Sequence, residues 1–172
     1  YLTRFGLDPR QKIKEYSRGM RMKLSLATAL AHAPGLLVLD EPTSGLDPVV
    51  RGEILDLFLD FIQDETRSIL MSSHITTDLE QVADSIAYLH KGRLLFQEDK
   101  DELLAEYGLL RCAQADLAKL PDGAAIHTER RAFGCETLVR GREAVRAALP
   151  GAVCDPASID DIMRFYSGRD TQ

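Results

Sequence analysis

Residues 35–48 read GLLVLDEPTSGLDP, and the reading of this stretch decides the fold. Four apolar residues, Leu36 to Leu39, run directly into two adjacent acids, Asp40 and Glu41. An apolar run of that length between Gly35 and Pro42 predicts a short buried strand. Asp47 is a strong N-cap and Pro48 suits the first helical position, so a helix opens there and runs to about residue 64. Its apolar residues Val50, Ile54, Leu57, Phe58, Phe61 and Ile62 recur at helical spacing. A second apolar run, SILMSS (68–73), predicts another strand, ending at His74. Strand, helix and strand in that order make an α/β unit with parallel strands and a right-handed crossover. Ligands of such sheets sit beyond the carboxyl ends of the strands. Asp40, Glu41 and His74 are therefore expected on one rim, though they lie far apart in the chain.

Upstream, Ser17 can cap a helix over RGMRMKLSLATALAHA, with Met20, Leu24, Ala27 and Ala31 on one stripe and Pro34–Gly35 as the stop. A Ser cap, the small Gly19 and the exposed N–H groups of a helix start also make an anion site, although Ser17 would cap its helix in either case. Downstream, Thr77 and Glu80 form a capping-box pattern for a helix near 77–83. SIAYL and LLFQ flank HKGR, which predicts a β-hairpin with Gly92 in the turn. A short helix over 101–107 is expected to end at Gly108 as its C′ glycine. Beyond it, strand-like pieces LLRCA, ETLVR and GAVCD alternate with short helices near 116–120 and 143–149. A last helix follows Ser158, with Ile159, Ile162, Met163 and Tyr166 on one face. Three segments result: 1–34, 35–108, and a small α+β appendage over 109–172.

With 172 residues and 45% hydrophobic composition, the chain can build one ordinary core and a small second domain. A formal net charge of −6 argues against a general nucleic-acid binder. Positive charge nevertheless crowds the start at Arg4, Arg10, Lys12, Lys14, Arg18, Arg21 and Lys23, as either a solvated helix face or an anion-facing patch. Cys112, Cys135 and Cys154 match no zinc or redox spacing and are expected as reduced, mostly buried thiols of a cytosolic protein. The start resembles no signal peptide, and apolar stretches such as ILDLFLDF are broken by Asp and too short to span a bilayer. A soluble, intracellular protein is the expectation.

The two acids and the histidine divide naturally among the tasks of phosphoryl chemistry. A strand-end carboxylate suits magnesium, which takes oxygen ligands and keeps several waters. A second carboxylate one residue on points elsewhere and can polarise an attacking water. A histidine can orient that water or contact a terminal phosphate. Singly, each is as well read as the first solvated residue after a strand; their shared rim favours the chemical reading. Such a site also needs a phosphate cradle, Gly-x-x-x-x-Gly-Lys followed by Ser or Thr. No Gly-Lys pair occurs in these 172 residues.

YSRGM (16–20), LLVLDEP (36–42), SGLD (44–47) and His74, in that order and spacing, resemble the second half of an ABC-transporter nucleotide-binding domain. They are similar to its signature loop, its Walker B strand with the following glutamate, its D-loop and its switch histidine. The likeness covers residues 1–97 well and the rest more loosely. The YSRGM form, and the ending SIDDIMRFYSG, resemble ATP-binding subunits of ABC-2-type exporters of drugs, lipids, polysaccharides or peptides. The signature departs from the commoner LSGGQ at Tyr16, Arg18 and Met20.

The resemblance implies part of a P-loop NTPase core: the end of a helical subdomain (1–34), the C-terminal half of the ATPase core (35–108), and a regulatory or dimerising extension (109–172). ATP and Mg are the implied cofactors. Asp40 would serve the metal, Glu41 would be the general base, and His74 would sense the γ-phosphate. Ser17, Arg18, Gly19 and Met20 would face ATP held mainly by a second ATP-binding subunit, and Ser44, Gly45, Leu46 and Asp47 would link the two halves of that dimer. Transmembrane permease subunits would be the other partners, with no nucleic acid, and the location would be the cytoplasmic face of the cell membrane. In the family the P-loop, the adenine-stacking aromatic and the Q-loop glutamine precede the signature. The chain is therefore expected to be a C-terminal portion, inactive toward ATP alone, whose strand 36–40 bares an apolar edge that self-association or rearrangement would cover. Two other readings stay open: a non-transport ABC ATPase, and a regulatory or dimerising module centred on 109–172.

Overall fold

Ser17 accepts a hydrogen bond from the Met20 N–H at 3.2 Å and so caps helix α1 (Arg18–Leu30), as the sequence predicts. In this computed structural model, which describes residues 1–168, the buried face of α1 is Gly19, Leu26, Ala27 and Leu30. That is rotated from the expected stripe: Leu24 is only half-buried and Ala31 is exposed. The reason lies in the start of the helix, where Gly19 packs against Val50 and turns that side inward.

Strand β1 (Leu36–Asp40) and strand β2 (Ser68–Ser72) pair in parallel with Leu36 opposite Ser68 and Asp40 opposite Ser72. Between them runs helix α2 (Pro48–Ile62), whose cap Asp47 accepts from Val49 N–H and Val50 N–H, both at 3.1 Å. Helix α3 (Thr76–Val82) closes the first of two compact units, Tyr1–Val82. The core of this unit joins Leu26 and Leu30 of α1, Leu37 of β1, and Ile54, Leu55, Leu57, Phe58 and Phe61 of α2. Burying a side chain such as Phe58 contributes roughly 1.5–3 kcal/mol. Helices α1 and α2 cover one face of the strands. Leu36, Val38 and Leu70 point the other way and are 55%, 69% and 64% exposed, so β1 is a half-buried strand rather than a buried one.

The second unit begins at Ala83. Strands β3 (Ser85–His90) and β4 (Arg93–Asp99) form the expected hairpin. Lys91 and Gly92 both have positive φ, 46° and 75°, as a two-residue type I′ turn requires. Helix α4 (Lys100–Glu106) passes directly into strand β5 (Tyr107–Cys112). Gly108 is thus not a helix C′ residue. It lies in the strand, where a β-carbon would sit 2.9 Å from Cys154 Sγ and 3.0 Å from the Asp155 carbonyl oxygen.

An antiparallel sheet follows in the order β6–β7–β5–β8, with β6 (Ala125–Arg131), β7 (Gly134–Arg140) and β8 (Val153–Pro156). Helix α5 (Arg142–Ala148) supplies Val145 to one face, against Leu110, Val139 and Cys154. Helix α6 (Ile159–Gly168) lies on the other, where Tyr107 meets Tyr166 and His127 meets Phe165. Ile159, Ile162 and Phe165 of α6 are fully buried. The segment expected as a helix near 116–120 is a 3₁₀ turn over Gln114–Lys119. All three cysteines are free thiols, with Cys135 and Cys154 buried.

Candidate functional site

The chemistry-bearing residues of the first unit form two groups. At the carboxyl ends of β1 and β2, Asp40 and Ser72 stand opposite one another, and Ser72 Oγ donates to Asp40 Oδ1 at 2.5 Å. The Glu41 N–H is held from the same side, 3.2 Å from the Ser72 carbonyl oxygen and 3.0 Å from Ser72 Oγ. This grip accompanies an uncommon backbone: Glu41 has φ +48°, in the left-handed region that non-glycine residues rarely adopt. The turn throws the Glu41 side chain toward the end of β2, where its Oε2 lies 2.6 Å from His74 Nδ1. Asp40, Glu41 and His74 therefore share one rim. Both partners of the last contact face solvent, at 66% exposure for the His74 side chain and 36% for Glu41.

The second group joins the start of α1 to the loop after the acids. Gly19 is buried, and a β-carbon on it would lie 3.0 Å from Val50 Cγ1, so a larger residue there would press on the Val50 side chain. The Arg18 guanidinium lies over the Gly45 backbone so closely that a β-carbon there would overlap it, and Gly45 takes φ +66°. Ser44 N–H donates to the Glu41 carbonyl at 3.2 Å, and Leu46 packs partly against the core. Residues 17–19 and 44–47 are thus neighbours within one chain, and Met20 is half-buried behind them. Of the early positive charges, Arg4 pairs with Asp60, Lys23 with Glu53, and Arg21 Nε donates to the Tyr16 carbonyl.

Four further residues of this region hold the site together without a motif that marks them. Ser72 could have been found by aligning the ends of the two strands, since it faces Asp40 across the ladder. Thr43, Arg51 and Asp78 carry no such signal. Thr43 Oγ1 donates to Asp78 Oδ2 at 2.6 Å, Arg51 Nε donates to Asp78 Oδ1 at 2.6 Å, and Arg51 also reaches Thr77 Oγ1 at 2.7 Å. Thr77, expected to cap its own helix, thus receives a hydrogen bond from Arg51.

Known proteins similar to this chain bear on its family. The ABC transporter ATP-binding protein YhcH of Bacillus subtilis is 44% identical over 104 residues, 59% of this chain and 34% of that protein. This chain is a relative of ABC transporter ATP-binding proteins. The fluoroquinolones export ATP-binding protein MT2762 of Mycobacterium tuberculosis is 31% identical over 94% of the chain and 53% of its own length. A family model described as an AAA domain, putative AbiEii toxin, Type IV TA system, matches residues 3–77. Among solved structures, CbiO1 of Clostridium perfringens, part of the ABC transporter complex CbiONQ, aligns with a TM-score of 0.51 and 28% identity, over 61% of this chain and 43% of its own. The fold is that of part of a P-loop NTPase core. The chain spans about a third to a half of the length of these ABC relatives.

Proposed function

We propose that this chain is part of an ATP-hydrolysing subunit of an ABC transporter that powers export across a membrane. The observation that carries this reading is the rim: Asp40 braced by Ser72, and Glu41 turned back onto His74. Asp40, Glu41 and the Ser72 hydroxyl offer the hard oxygen donors that magnesium takes. Among the described residues no group of three His, Cys, Asp or Glu side chains can hold a metal. That fits an ion bound through one or two carboxylates, waters and nucleotide phosphates rather than a cage made of protein alone. When bound, the ion neutralises charge on the phosphates.

Glu41 is the proposed general base, its carboxylate accepting the proton of the attacking water. His74 directs Nδ1 to Glu41, so donation from Nε2 to an anionic phosphate calls for the doubly protonated ring. Ser17, Arg18, Gly19 and Met20, beside loop 44–47, are the proposed face toward ATP held by a second subunit. Asp47 both caps α2 and ends that loop, so the loop's geometry is tied to the helix. Permease subunits would hold the assembly on the cytoplasmic side of the membrane; no helix among the described residues is long and apolar enough to cross it. The bare face at Leu36, Val38 and Leu70 supports self-association when the chain is alone.

The test has two arms. Isothermal calorimetry on the 172-residue chain is expected to show no appreciable ATP binding, since it holds no Gly-Lys pair for a phosphate cradle. Tight binding would contradict the assignment. In a complete ATPase carrying this sequence, Glu41→Gln is expected to slow turnover by on the order of 10²–10⁴-fold while ATP stays bound. Unchanged turnover would remove Glu41 from the role of base.

A further inference from the structure

Asp78 has no exposed surface, and its partner Thr43 is 1% exposed. Both its carboxylate oxygens are taken, one by Thr43 and one by Arg51. The positions of these partners in the chain give the arrangement its meaning. Thr43 comes two residues after Glu41, Arg51 four residues after Asp47, and Asp78 four residues after His74. One buried carboxylate thus ties together the loop that carries Glu41, the helix that follows loop 44–47, and the segment that carries His74. That segment is itself locked: Ile75 N–H donates to Ser73 Oγ at 3.0 Å, and Asp78 N–H to the Ile75 carbonyl at 3.0 Å.

A closed ring results. From Glu41 the chain runs to Thr43, crosses to Asp78, returns to His74, and closes through the Glu41–His74 contact. The two crossings are unequal. Glu41–His74 lies in water, where such pairs hold their geometry weakly. Thr43 and Asp78 are buried and Arg51 is half-buried; a buried carboxylate stripped of its partners is strongly disfavoured, so this crossing holds the Glu41 loop and the His74 segment together. We propose that Asp78, held by Thr43 and Arg51, is a positioning residue that sets the Glu41–His74 contact. The proposal rests on Glu41 and His74 as the reacting pair only for its catalytic consequence; the geometric claim stands apart from it.

The geometric claim is read from the His74 ring ¹⁵N and ¹H signals of the 172-residue chain. Glu41→Ala, which removes the acceptor, marks where those signals move when the contact is lost. Thr43→Val, equal in size but without the donor, is expected to move them most of the way to that position with helical content retained. Thr43→Ser is expected to keep them where the unaltered chain has them. His74 signals unmoved by Thr43→Val, or unmoved by Glu41→Ala, overturn the proposal. If Thr43→Val fails to fold, Arg51→Lys, which keeps the charge and loses the fork, carries the same expectation. In a complete ATPase with this sequence, Thr43→Val is expected to lower kcat on the order of 10- to 100-fold with little change in KM, and Thr43→Ser to restore it. A signal shift with unchanged kcat removes the catalytic reading of the pair and leaves the positioning in place.

Discussion

Glu41 occupies a backbone conformation better suited to glycine, and this makes a sharp stability test. At φ +48° a residue with a β-carbon pays roughly 1–2 kcal/mol relative to the right-handed regions. Glycine escapes that cost but loses about 0.5–1 kcal/mol more chain entropy than alanine on folding. The Glu41–His74 contact, with side chains 66% and 36% exposed, is worth only about 0.2–1 kcal/mol. Glu41→Ala and Glu41→Gly both lose that contact, so it cancels when the two are compared. The expected order is Glu41→Gly above Glu41→Ala by about 0.5–1 kcal/mol, the reverse of the usual ranking. Urea midpoints of the two variants, read at unchanged m-value, measure the difference. If Glu41→Gly is instead the less stable by the ordinary margin, Glu41 is not held in the left-handed region and the turn onto His74 is wrong. The expected order would mean that the position keeps its carboxylate at the expense of stability, as sites of chemistry commonly do.

In the second unit, Gly108→Ala is expected to destabilise by about 1–3 kcal/mol through overpacking against Cys154 Sγ and the Asp155 carbonyl. Thermal unfolding would show it, and Cys154→Ala in the same chain should recover only part, since the backbone oxygen remains; full tolerance of alanine would refute the close approach. Glu136 is held below the ordinary carboxylate value of 4.5, first by its hydrogen bond from Arg131 and then by Arg111, against the opposing effect of burial. A depressed carboxylate stabilises above its unfolded value and loses that contribution as pH falls through the folded one. Stability should therefore decline below about pH 4.5, and Glu136→Gln should flatten that decline; an identical slope would show that Glu136 contributes nothing to it.

The parts of the fold legible in the sequence were those where one residue type has one job. Ser17 and Asp47 cap, Pro48 starts a helix, and Lys91–Gly92 turns a hairpin, each by local chemistry that needs no tertiary partner. The rim followed from topology: two strands linked by a helix must end together, which brought Asp40, Glu41 and His74 to one place. Strand β6 is hard to read because AIHTERR is an edge strand whose charges find partners only in the fold, Glu129 meeting Arg164 of α6 and Arg131 meeting Glu136 of β7. Gly108 was misread because a glycine after a helix and a glycine under a neighbouring strand look alike until the neighbour is known. Asp78 is the deepest miss. In sequence it is one acid of a polar helix start, and only burial reveals what it holds.

The pairing of Asp40 with Ser72 fixes a rung on a ladder rather than a spacing along the chain. The connection from Gln63 to Arg67 can lengthen or shorten among descendants of this sequence without disturbing that rung. A single residue gained or lost inside either strand cannot, because the slip would turn Ser72 to the opposite face and leave Asp40 without its brace. Drift is thus expected to accumulate as length changes at the far end of α2, while the strands beside it keep a constant length.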